Sequence, residues 1–281
     1  CSLFVYQEKQ SLKKGDLKET SIMGRKLPLG IQGFQKLREE NFLYVDKTEY
    51  IFQLVHDNVP FFLSRPRRFG KSLLLNTWKA YWEGKNNLFS GLAIEKLEEG
   101  NADAWKAHPV FYFDFNGVNY REKGSLERAL EFQLQRWEEK FASVNDHNTP
   151  GERFQKLLIT AREKTGLRCV ILVDEYDKPL LDVVEKPELQ EHNKEVFKGF
   201  FSTLKSYDEY IQFIFIAGVS KFHKVSIFSD LNQLTDISLS KQYAGLCGIT
   251  DTELKQYVEK EIADLAGEQG NRGTEPKGPS Q

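Results

Sequence analysis

The chain is poor in sulfur and histidine: three cysteines, one methionine and five histidines in 281 residues. Cys1, Cys169 and Cys247 are odd in number and far apart, with no CxxC pair, which argues against a disulfide framework or a zinc site of the usual ligand spacing. A reducing cytoplasm is the expected home. The histidines (His56, His108, His147, His192 and His223) are isolated from one another, so none is put forward as a metal ligand. Long apolar runs are also missing. The longest, "CVILV" and "FIFIA", are strand-sized and far short of the roughly 20 residues a membrane-spanning helix needs, so no membrane association is expected. The opening "CSLFVY" has neither a basic leader nor a small-residue cleavage site and does not read as a signal peptide. Met23 is the single methionine, which leaves open a start of translation there. Neither sign of charge is in large excess. A net charge of −2 argues against a broad footprint for nucleic acid or an anionic membrane and leaves only local basic patches.

What the chain does have is apolar content, 40% hydrophobic against 28% charged residues, enough for one large domain with a real core. Its ends differ from its middle. Residues 1–26 are polar and lysine-rich without periodicity, an expected loose arm; residues 267–281, "GEQGNRGTEPKGPSQ", are too rich in glycine, proline and polar groups to offset ordering entropy, an expected disordered tail. No internal repeat is present. In between, "PFFLS" (60–64), "VFYFDF" (110–115), "CVILV" (169–173) and "IQFIFIA" (211–217) have strand length and β-branched or aromatic content, which predicts four buried strands. Leu126, Leu130, Leu134, Trp137, Phe141 and Val144 recur at helical spacing, with Ser125 ahead of them as the expected N-cap. Further helices are predicted over Lys71 to Trp82, Glu152 to Lys164 and about Glu188 to Tyr207, the last with Val196, Phe197, Phe200, Phe201 and Leu204 as its apolar face. The alternation predicts an α/β, P-loop NTPase-like three-layer sandwich: a mostly parallel central sheet with helices on both faces. Ligands of such sheets bind beyond the carboxyl ends of the strands.

At the first strand end, "SRPRRFGKS" leads into the helix that starts near Lys71. A helix N-terminus presents unpaired N–H groups and the positive end of a dipole, and so favours phosphate. Lys71 would reach the β and γ phosphates, Ser72 would ligate Mg²⁺, and Gly70 would allow close backbone approach. Arg65 stands where a GxxxxGKS/T loop has its first glycine, a position that often needs freedom of φ, and Pro66 removes a backbone donor. Taken alone, the stretch reads equally well as an exposed basic turn. At the third strand end, "CVILVDEYD" offers Asp174 for the metal and Glu175 for the attacking water, although acidic pairs also occur there as caps. Both motifs in this order within one α/β pattern predict a P-loop NTPase. At the fourth strand end, Ser220 is either a sensor of the γ-phosphate or a helix cap. "GVSKF" departs from the GxSxG nucleophile elbow at Phe222. At the second, Asp114 either supports the metal and water network or closes a turn.

The segments "LPLGIQGFQKLREENFLYVDKTEYI", "FFLSRPRRFGKSLLLNTWKAYWEGKNNLFSGLAI", "CVILVDEYDKPLL" and "IAGVSKFHKVSIFSDLNQLTDISL" together resemble the predicted AAA-ATPase-like family of bacteria, over roughly residues 27–262. The phosphate loop of that family has the form RPRRFGKS. The resemblance implies Walker A roles for Lys71 and Ser72, Walker B roles for Asp174 and Glu175, and ATP and Mg²⁺ as cofactors. Asp46 and Lys47 in "YVDKT" either lie near the nucleotide base or serve packing and capping. Many members continue into a C-terminal domain similar to PD-(D/E)xK nucleases. Here residues 27–245 are the expected core and 246–266 the start of a small helical lid, so the chain reads as truncated or as a stand-alone ATPase module, and nuclease activity is not carried over. The expected function is an Mg²⁺-dependent ATP-binding and ATP-hydrolysing module that acts as a conformational switch, with Lys71, Glu175 and Ser220 at the chemistry. Arg65, Arg67, Arg68 and Phe69 complete the expected nucleotide contacts; the arginines alternatively serve as fingers across an oligomer interface or form a solvated basic turn. Two other functions stay open: a nucleotide-gated switch for a protein partner without turnover, and an accessory domain whose arginine turn contacts nucleic acid.

Overall fold

The computed structural model describes residues 26–57, 59–144, 149–221, 227, 228, 231 and 234–257. Nearly all of the expected arm and all of the expected tail lie outside the described residues. The elements run, in chain order, α1 (Phe34–Glu39), α2 (Thr48–Val55), β1 (Phe61–Ser64), α3 (Lys71–Trp82), a 3-10 turn (Asn86–Phe89), α4 (Ala93–Leu97), β2 (Val110–Asp114), α5 (Ser125–Phe141), α6 (Pro150–Thr165), β3 (Cys169–Asp174), α7 (Lys178–Leu181), α8 (Pro187–Phe201), α9 (Thr203–Ser206), a second 3-10 turn (Asp208–Tyr210), β4 (Ile211–Gly218) and β5 (Thr235–Asp236). Residues 251–257 are again helical.

The five strands form one sheet in the order β2-β3-β4-β1-β5, and every pairing is parallel. Because β4 lies between β1 and β3, the segment that follows β4 is placed between the β1–α3 loop and the acidic end of β3. Side chains alternate across the strands and separate two apolar clusters. Phe62, Phe111, Phe113, Ile171, Val173, Ile214 and Ile216 pack with α5, α6 and α8. Phe61, Leu63, Val170, Leu172, Phe213 and Phe215 pack with α1, α2 and α3. Trp78 of α3 is fully buried, its ring 4.1 Å from that of Phe215, and this fixes the helix against the centre of the sheet. Leu246 and Cys247 belong to the same cluster.

The three-layer α/β sandwich is therefore as predicted, with three local corrections. Ser125 does not cap α5. Gly124, at φ 81°, is the N-cap, and the Ser125 hydroxyl donates to the Glu122 carbonyl at 2.6 Å. Val144 lies beyond the end of α5 and is exposed, because Ala142 turns left-handed at φ 41° and ends the helix. The helix expected from Glu152 starts at Pro150, since Thr149 and Glu152 form a reciprocal capping box. β5 was not expected; two residues are too few to show a period. Among the described residues, no helix is long and apolar enough to cross a membrane.

Candidate functional site

The chain leaves β1 at Ser64 and enters α3 through residues 65–70. Gly70 is the N-cap at φ 85°, a backbone state that favours glycine, and no side chain caps the first turn. The helix thus opens on uncapped N–H groups, an end suited to an anion. The other left-handed residue of the loop is Arg68, at φ 67°; Arg65, where the first glycine would stand, has no positive φ. Lys71 is only 5% exposed. Its Nζ donates to the carbonyls of Arg65 and Pro66, at 3.0 and 3.1 Å, and closes the loop on itself.

Across from the loop, Asp174 ends β3 and is 2% exposed. Its carboxylate accepts a hydrogen bond from the hydroxyl of Tyr112 on the neighbouring β2 at 3.2 Å, and Ser72, at the start of α3, is near enough to act on its ionisation. Burial pushes the Asp174 carboxyl above the usual carboxylate range, as does the Asp114 charge, while Ser72, Tyr112 and Lys71 pull it back. Glu175 follows at φ 50°, a left-handed state that costs a non-glycine residue about 1 kcal/mol or more. Burial and then Asp174 push its carboxyl up, against Lys71, Arg67 and Lys178. Lys71, Ser72, Asp174 and Glu175 therefore occupy one locality at the carboxyl end of the sheet.

The other residues singled out from the sequence take varied places. Arg65 is half-buried, and its guanidinium donates to the carbonyls of Ser64 at 3.1 Å, Ser238 and Tyr243, so it braces the loop root against residues 238–243. Arg67, Arg68 and Phe69 are exposed. Of these, Arg67 is near enough to Glu175 to act on its ionisation. The Phe69 carbonyl accepts the Gly248 N–H at 2.9 Å. Ser220 donates its N–H to Asp177 at 2.7 Å, and its carbonyl accepts the Tyr176 hydroxyl at 2.9 Å. Asp114 pairs with Asp174 in the β2–β3 register and closes a turn by accepting the Asn116 N–H at 2.8 Å. Asp46 takes the capping alternative: it accepts the Thr48 N–H at 2.8 Å and the Ala93 N–H at 2.7 Å, at the starts of α2 and α4. Lys47 is buried and forms an ion pair with Glu253.

Cys247 is a free, buried thiol. Burial pushes it up to about 11 against the pull of Arg65, Lys71 and Lys47, so it stays protonated.

Tyr112, Asp177, Ser238 and Gly248 join this site without having been anticipated. Tyr112 carried a usable signal, because the two-residue period of a strand puts it on the same face as Asp114. Asp177 did too, as the third acid of "DEYD". Ser238 and Gly248 carried none.

A family model described as Predicted AAA-ATPase matches residues 28–228. A protein of Azotobacter chroococcum mcd 1, described as an uncharacterized protein in the vnfD 5' region, is 39% identical over 245 residues, which cover 86% of this chain and 46% of the relative. The chain thus spans just under half the length of that relative. No solved structure matches significantly. On the strength of a family match that takes in most of the chain, from ahead of α1 to beyond β4, and of the parallel α/β sheet that carries it, this protein belongs to the predicted AAA-ATPase family.

Proposed function

We propose that the chain binds ATP with Mg²⁺ at the end of β1 and hydrolyses it, using the cycle to switch conformation. The observation that carries this reading is the placing of Ser72, at the start of α3, close enough to the buried Asp174 at the end of β3 to act on its ionisation, with Lys71 and Glu175 beside them. A hydroxyl and a buried carboxylate are hard oxygen donors of the kind Mg²⁺ takes, with phosphate oxygens and water filling its remaining positions. Bound there, Mg²⁺ would neutralise charge on the phosphates.

The chain's own groups supply the rest. Lys71 would exchange the Arg65 and Pro66 carbonyls for phosphate oxygens, and the uncapped N–H groups of α3 would meet the same anion. Glu175 would orient the attacking water and take its proton at the carboxylate, a contribution of about 10²- to 10⁴-fold in rate. Ser220 lies beside this turn and would meet the γ-phosphate.

Calorimetry with Mg-ATP tests the reading. Binding to wild type, its loss in Lys71→Ala, and its survival in Glu175→Gln with phosphate release cut by about 100-fold or more are the expected results. Absence of binding to well-folded wild type would overturn it. The braces that tie the phosphate loop to residues 238–248 favour a second reading, in which bound nucleotide is sensed by that segment without turnover. Phosphate release by wild type no faster than by Glu175→Gln would select it.

A further inference from the structure

The turn that follows β3 and the segment that follows β4 are joined by contacts the strand ladder does not supply. Asp177 is 1% exposed, and a carboxylate so buried is costly unless its charge is met by hydrogen bonds. It accepts the Val219 N–H at 3.0 and 3.2 Å and the Ser220 N–H at 2.7 Å. Tyr176, between Asp177 and Glu175, donates its N–H to Ala217 at 3.2 Å and its hydroxyl to the Ser220 carbonyl at 2.9 Å. The two segments approach so closely that a Cβ on Gly218 would sit 2.5 Å from the Tyr176 ring and 2.8 Å from the Asp177 carboxylate.

The same short segment is bonded on its other side to the root of the phosphate loop. The Ser64 hydroxyl donates to the Val219 carbonyl at 3.0 Å, and the Arg65 N–H donates to the Gly218 carbonyl at 3.1 Å. Residues 218–220 therefore link the turn that carries Glu175 to the loop that leads to Lys71. No side chain of Asp177 or Tyr176 needs to touch a ligand for this to matter. Their contacts set how the two halves of the site stand relative to each other.

We propose that Asp177 is a positioning residue for nucleotide hydrolysis: through residues 218–220 it holds the Glu175 turn in register with the root of the phosphate loop. This rests on the ATPase reading above. Tyr176 is its auxiliary, and the two act on the geometry of attack more than on affinity, because the direct holds on Lys71 are the Arg65 and Pro66 carbonyls of its own loop and not these contacts.

The test compares wild type, Asp177→Asn and Tyr176→Phe in the full chain. Mg-ATP binding is followed by calorimetry, phosphate release is measured per bound nucleotide, and amide exchange is followed by mass spectrometry. Asp177→Asn removes the negative charge and one of the two acceptor oxygens with almost no change of shape, so the two backbone donors are left with one neutral acceptor. It is expected to bind Mg-ATP within about threefold of wild type, to release phosphate about tenfold or more slowly, and to exchange faster in peptides covering 216–221. Tyr176→Phe removes one hydrogen bond and is expected to show a smaller loss, about threefold. A purely structural role would lower the folded fraction and leave the rate per bound nucleotide unchanged. A wild-type rate in a folded Asp177→Asn overturns the proposal and leaves the ATPase reading standing. If Asp177→Asn does not fold, a wild-type rate in Tyr176→Phe with faster exchange at 216–221 overturns it. Failure of wild type to bind Mg-ATP overturns the ATPase reading and the positioning role together, and the binding measurement on wild type separates that case from the others.

Discussion

Burying a charged or titratable side chain is costly unless its surroundings answer the charge or keep it neutral, and this chain uses both devices. Lys71 keeps its ammonium on two carbonyls of its own loop, so the cation is held in place by groups it can leave. His108 takes the neutral course. Its Nδ1 lies 2.8 Å from the Arg168 carbonyl, and its ring stands edge-on to Trp82 at 4.9 Å. Burial holds its imidazole below the usual value, helped by the charges of Arg168 and Lys106, although the Arg168 carbonyl pulls the other way. The unfolded chain therefore takes up a proton at a pH where the folded one does not, and the unfolded state binds more protons. His108 thus contributes stability that is complete above the ordinary imidazole value of about 6.5 and is lost as pH falls from there through the lower folded value. Urea midpoints between about pH 7.5 and pH 5.5 should fall more steeply for wild type than for His108→Gln. Parallel profiles would show that the half-buried imidazole does not set this dependence.

At the scale of elements, α5 and α6 pack together with a buried ion pair between them. Arg153 grips Glu138 through two hydrogen bonds, at 2.8 and 2.7 Å, with both side chains about nine-tenths buried. The Glu138 hydrogen bonds raise the Arg153 guanidinium further above its ordinary value. Arg153→Ala strands a buried carboxylate and should cost about 3–5 kcal/mol, whereas Arg153→Met with Glu138→Leu should be close to neutral. Urea unfolding of the two variants checks this; equal losses would mean that packing, and not the stranded charge, sets the cost. The four longer strands and the four long helices were legible, although the helix read to Tyr207 breaks after Phe201, while the short helices α1, α2, α4 and α7 were not anticipated. α3 was read at its observed bounds, because a strand, a glycine and an apolar helical period coincide there. The start of α5 misled because a serine ahead of an apolar run looks like a cap, while the left-handed Gly124 takes that position. Thr149 and Glu152, three apart, gave a start signal for α6 that hydrophobic spacing alone passed over.

Over the whole molecule, the sequence supports strands, helices and their alternation, but not which strand stands beside which. The order β2-β3-β4-β1-β5 follows from packing between residues far apart in the chain, and so does the company kept by Lys71. Lys71, Ser72, Asp174 and Glu175 were legible because each sits at a strand end whose apolar run announces it. Arg65 was read as standing in for a glycine against phosphate; its bonds to Ser238 and Tyr243, about 175 residues on, are invisible to local pattern. Those bonds, with Gly248 on Phe69 and Lys47 with Glu253, make residues 238–253 a strap along the phosphate loop. The strap can be tested where it meets Phe69. Gly248 has φ 80°, and a Cβ there would touch the Phe69 ring at 3.4 Å, so Gly248→Ala imposes about 1 kcal/mol of backbone strain beside that ring. If the strap sets the conformation of the loop, Mg-ATP affinity should weaken by about three- to tenfold, roughly the same strain expressed as binding. Amide exchange over 66–72 should quicken, while urea stability falls by no more than about 1 kcal/mol. Unchanged affinity with faster exchange over 66–72 would show that nucleotide binding restores the loop unaided, and that the strap belongs to the core alone.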